Sequence, residues 1–290
     1  MSVVATTKRL LARDAGRIRL HDAVCETVRD VVASSNSDQF SVGVAWSDDE
    51  FRTRIAAYDD LFAELSLVEA LLAFWGNATS RTTLTVALCR LVDSFGGGGG
   101  NTGWLALRWY PAASLLYAGG VSALAAGRYD NLWALLDARI ATPNSGIHSE
   151  EPLASAIPHG MNSIPQSFKL LPDLGSHHTP LSDHLFSLLE PRLNGLFCLG
   201  SDYERAFDRF EILYSLESAH RNERGWGPIG RFGWKAVHRE SSPLHLLLAE
   251  AHAAATAWPP LLAGFFGGSA ERFAVVSQQM GTRLAQHPMY

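Results

Sequence analysis

Apolar residues recur three and four positions apart along most of this chain, and that period constrains what it can fold into. Over residues 201–223, Tyr203, Ala206, Phe207, Phe210, Leu213 and Tyr214 make one stripe. Glu204, Arg205, Asp208, Arg209 and Glu211 fill the other side. Side chains at that spacing share one face of an α-helix. No strand-like alternation competes with the pattern, so the expected fold class is all-α, as one large helical domain or two helical lobes.

The same reading applies upstream and downstream. Residues 20–33 carry Leu20, Val24, Val28 and Val31 in line. Ser47 and Glu50 have capping-box spacing, so Ser47 is expected to accept from the Glu50 N–H while Glu50 reaches back. Phe51, Ile55, Tyr58, Phe62, Leu65, Val68 and Leu72 then predict one helix as far as Trp75, ended by Gly76 and Asn77. Further helices are expected over 80–95, 131–139, 181–193, 243–258 and 271–286, with a pair or a kinked helix over 104–126. Residues 96–100 are five glycines. No Lys-Ser/Thr follows them, so a phosphate-cradling loop is not supported and a surface link is expected.

From 141 to 179 the period dissolves among Pro143, Pro152, Pro158, Pro165 and Pro172. Long irregular stretches inside compact domains usually carry function or divide the chain. The expected organisation is a helical lobe over 1–140, an irregular proline-rich connector over 141–180 and a second lobe over 181–290. The alternative is a single domain over 1–290.

Two long uncharged stretches, 109–127 and 253–270, are rich in alanine and interrupted by Pro and Gly. Both read as buried core, so membrane insertion is not expected. A net charge of −5 provides no electrostatic footprint for nucleic acid. Cys25, Cys89 and Cys198 are far apart and odd in number. They predict small buried hydrophobes in a reducing cytoplasm rather than a disulfide framework.

Few residues suggest chemistry, and no catalytic motif is present. Glu217 and Glu69 fall on apolar stripes, where a carboxylate is costly unless paired or protonated. Glu217 and His220 have the Glu-x-x-His spacing of carboxylate-bridged metal bundles, but the motif occurs once. A helical metalloprotein or enzyme using Glu217 and His220 is therefore the rival reading. His177, His178, Asp183 and His184 crowd together, but Pro180 separates the first pair from the helix that carries His184. The loop over 225–234 bears Trp226, Arg231, Phe232 and Trp234. These side chains either anchor the loop or form a recognition patch, since aromatics and Arg dominate interface hot spots.

Four stretches carry a resemblance: residues 47–75; residues 108–130, with Arg108, Trp109, Tyr110, Pro111, Gly119, Gly120 and Tyr129; residues 179–186; and residues 203–234. Together they resemble the long helical region behind N-terminal effector domains of some bacterial proteins. Those effectors include sirtuin-like NADases and Schlafen-type domains, and some such proteins are thought to act in antiviral defence. The resemblance implies that the chain is the downstream half of a larger protein, and it carries over no catalytic residue. The expected function is a non-catalytic sensor, protein-interaction or oligomerisation module. It implies no cofactor and a protein partner or self-association. A membrane-active helical protein using residues 109–127 is the third reading.

Overall fold

In a computed structural model the periodic stretches become helices: α1 (Val3–Leu11), α2 (Arg17–Ser34), α3 (Asp48–Leu61), α4 (Ala63–Trp75), α5 (Arg81–Asp93), α6 (Thr102–Leu107), α7 (Tyr110–Ala125) and α8 (Tyr129–Asp137). A two-stranded antiparallel ribbon follows, β1 (Arg139–Ala141) and β2 (Glu150–Pro152). The remainder is α9 (Leu153–Gly160), α10 (Pro180–Phe197), α11 (Asp202–Arg221), α12 (Arg231–His238), α13 (Pro243–Ala254), α14 (Pro259–Ala263) and α15 (Ala270–Gln286). The structure describes residues 2–36, 38–95, 98–141, 150–222, 225–238 and 242–286. The fold is all-α apart from that short ribbon.

Two helices organise the core. α7 buries every residue from Tyr110 to Leu124 and packs against α4, α11, α8 and α10. Gly120 lets α11 approach, because a Cβ there would lie 2.1 Å from the Phe210 ring. α11 packs against α7, α9, α10, α12, α13 and α15. Buried apolar side chains from Leu10 to Leu284 belong to one contiguous cluster.

Several expectations need correction. The helix predicted over 48–75 is divided at Phe62, whose φ of −93° and ψ of 2° leave helical values, although backbone bonds from Phe62 to Tyr58 and from Ser66 to Phe62 run through the junction. Half of the capping box forms: Ser47 Oγ accepts from the Glu50 N–H at 3.4 Å, but the Glu50 carboxylate turns to Arg54 Nε at 2.7 Å. Of the connector expected over 141–180, residues 142–149 lie outside the described residues. The rest includes the end of β1, β2, α9, a 3₁₀ helix at Pro165–Leu170 and the first residue of α10, with turns and bends over 161–164 and 171–179. Of the glycine run, Gly96 and Gly97 also lie outside the described residues.

Of the five residues assigned to the polar side of 201–223, Glu204 and Arg205 are exposed and Arg209 is half-buried, but the other two are not on the surface. Asp208 and Glu211 are buried, because α10 and α12 cover that face. The stretch over 109–127 is core as expected, whereas residues 255–257 of the second uncharged stretch are exposed and its Trp258, Pro260, Leu261, Phe265 and Phe266 are buried. The cysteines are not fully buried: Cys25 and Cys89 are half-buried, and Cys198 is exposed at the left-handed end of α10. Among the described residues, no helix is long and apolar enough to cross a membrane.

Candidate functional site

Residues 225–230 lie across α11 as an irregular strap before α12 begins. Its glycines are required by contact: a Cβ on Gly227 would lie 1.9 Å from the Ser215 carbonyl oxygen, and one on Gly230 would lie 2.0 Å from Glu211 Oε1. The strap therefore seats backbone directly on α11.

Beneath it sits a buried polar network. Glu211 Oε1 accepts from Tyr117 Oη at 3.0 Å and from Ser182 Oγ at 2.5 Å. Ser182 Oγ accepts in turn from the Arg231 N–H at 3.1 Å. The Arg231 guanidinium pairs with Asp183 at 2.8 Å and stacks 3.8 Å from the Phe186 ring centroid. Asp183 also meets His177 at 3.0 Å. One turn along α12, Lys235 donates to Asp208 at 2.5 Å and to Glu204 at 2.7 Å. Burial pushes Glu211 up to about 7, against the hydrogen bonds from Ser182 and Tyr117; nearby Asp208 pushes further and Arg231 opposes. Burial also raises Asp208 despite Lys235, while the hydrogen bond from Lys235 holds exposed Glu204 below its usual value.

The four residues singled out in the loop separate into two roles. Phe232 is fully buried and Arg231 is locked in ion pairs with its side chain 16% exposed, so both anchor. Trp226 and Trp234 remain 44% and 36% exposed. Trp234 borders a hollow of about 530 Å³ with Leu246 and Pro243, rimmed by the Arg209–Glu250 pair at 2.5 Å. Trp226 fronts a groove of about 670 Å³ whose other walls include Glu150, Glu151, Pro152, Pro158 and His159.

Glu217 and His220 are placed apart in function. Glu217 Oε1 accepts from Arg221 Nε at 2.7 Å, and its Oε2 accepts from the Phe266 N–H at 2.9 Å. His220 packs edge-on to Phe266 and lines a hollow of about 610 Å³ with Arg272 and Arg283. Burial lowers its basicity, with Glu217 opposing. Among the described residues, no group of three His, Cys, Asp or Glu is placed to hold a metal ion.

The histidine crowd is also divided. His184 Nε2 turns to Asp59 Oδ2 and Tyr110 Oη, each at 3.0 Å, tying α10 to α3 and α7. Glu69 is fully buried, neither oxygen has a hydrogen-bond partner among the described residues, and burial drives its pKa well above the carboxylate range.

No family model matches the chain, and no curated protein or solved structure matches it.

The aromatic and arginine content of a turn-rich stretch marked Trp226, Arg231, Phe232 and Trp234 as one unit and missed what surrounds them. Ser182, Asp183, Glu211 and Lys235 come from three helices that meet only in the fold. Glu150, Glu151 and His159 lie in the proline-rich stretch, where no period exists to assign a face.

Proposed function

We propose that this chain is a non-catalytic protein-interaction module whose recognition surface is the groove fronted by Trp226. The observation that carries the reading is the division within residues 225–234, a stretch expected as a loop whose residues from Arg231 on form the start of α12. Arg231 and Phe232 anchor the start of α12, where the strap ends, while Trp226 stands exposed at a groove. An aromatic held out on a fixed backbone costs little further ordering when a partner covers it.

The wider setting rests on the sequence resemblance: a sensor or oligomerisation region behind an effector domain in a bacterial, cytoplasmic protein, with antiviral defence as its context. The partner is a second protein or another copy of the chain.

The test is a photo-reactive amino acid placed at position 226 in the producing cell, with Ile18 as the exposed control. Ile18 is 71% exposed on α2. Cross-linked product enriched at 226 over 18 is expected. Equal labelling at the two positions would refute the reading.

A further inference from the structure

The geometry points to a cationic occupant for the Trp226 groove: a basic segment of a protein partner, laid along β2 with an Arg or Lys side chain against the indole. The inference rests on the interaction reading and narrows it to one class of partner.

Four independent features of the groove favour positive charge. Glu150 is exposed and Glu151 half-buried, and among the described residues neither forms an ion pair. Arg221, the arginine among the described lining residues, is already held by Asp137 at 2.8 Å and by Glu217 at 2.7 Å, so its charge is answered within the fold. Two helices end at the groove: His159 belongs to the last turn of α9, and Ser218, Arg221 and Asn222 to the end of α11. Helix C-termini carry partial negative charge from their unpaired carbonyls. The indole adds an electron-rich face, which attracts guanidinium and ammonium groups.

A peptide fits better than a free ion. All three residues of β2 line the groove, and among the described residues β1 is the only strand paired with β2. The register turns the Glu150 N–H and the Glu150 and Pro152 carbonyls away from β1, Pro152 having no N–H to give, so an extended chain along β2 would be held by few backbone bonds and mainly by side chains placed alternately into the groove. Pro152 and Pro158 supply apolar wall for the residues flanking the cation. A volume of about 670 Å³ holds a few side chains rather than one ion.

The experiment is fluorescence anisotropy with a labelled short peptide of alternating Arg and Val. Two controls replace Arg by Glu or by Ser, and arginine amide serves as competitor. The Arg peptide is expected to bind, more weakly as salt is raised, and the controls are expected not to. Glu150→Gln with Glu151→Gln together should lower affinity about tenfold, and Trp226→Ala by a similar factor. Both changes sit at the surface, and circular dichroism checks that the variants fold. Equal binding of the Arg and Ser peptides would overturn the proposal, as would an unaltered double variant. Competition by arginine amide at the affinity of the peptide would also overturn it, making this a small-cation site. If no peptide binds but position 226 still cross-links, the basic partner is lost and the interaction reading stands. If cross-linking fails as well, both are lost.

Discussion

The carboxylate of Glu211 occupies the space that a side chain at Gly230 would need. A Cβ on Gly230 would sit 2.0 Å from Glu211 Oε1 and 2.3 Å from Oε2. The acid of α11 and the end of the strap are thus fitted to each other, and the Arg231 N–H beside them bonds the same Ser182 hydroxyl that serves Glu211.

Gly230→Ala should therefore strain the strap against a buried group that has nowhere to go. Overpacking of this kind costs about 2 kcal/mol. Urea unfolding of the variant measures it, and an unchanged midpoint would mean that the strap lifts freely from α11.

Acid–base behaviour at Glu211 gives a second expectation. Its folded value is about 7, raised above the ordinary carboxylate value. A group raised on folding contributes stability at low pH and loses it as pH climbs through the folded value. Between about pH 4 and 8, from below the ordinary carboxylate value to above the folded one, the native protein should lose about 3 kcal/mol relative to Glu211→Gln. Denaturation at a series of pH values reads the difference, and parallel profiles would remove Glu211 as its source.

The two halves of the strap region should respond differently to truncation. Phe232→Ala empties a fully buried site and should cost about 4 kcal/mol. Trp226→Ala removes an indole that is 44% exposed and should move stability by less than about 1 kcal/mol. Comparable losses from both would show that Trp226 serves the fold rather than a partner.

Glu69 should be a liability where it stands. Both oxygens are buried without a partner among the described residues. Glu69→Met keeps the volume and deletes the polar atoms, which should stabilise the protein by about 2 kcal/mol. A lower melting temperature for that variant would point to a role for the acid that geometry alone does not reveal.

Helices are legible in this sequence because each buries a face against a neighbour, and the spacing of that face survives without knowing the neighbour. What the spacing cannot say is how many neighbours there are. On α11, Asp208 and Glu211 read as solvent-facing because they are charged, yet α10 and α12 close over them with Ser182 and Lys235 as partners. No Gly or Pro stands at or beside Phe62, so the division of the helix there left no mark in the sequence. Glu217 was readable as a carboxylate on an apolar stripe. Its partners, Arg221 one turn on and the distant Phe266 N–H, show which of its possible fates it met. The Trp226 groove was legible only on the aromatic side, since Glu150, Glu151 and His159 come from a stretch whose order depends on contacts made elsewhere.

Because α7 is buried from Tyr110 to Leu124, no partial opening of the molecule can wet it without displacing one of the helices packed on it, among them α4, α8, α10 and α11. Its amide protons should be the last to trade for deuterium, at a rate set by complete unfolding alone. The middle of the chain, not either end, would then be the clock by which the lifetime of the folded state is read.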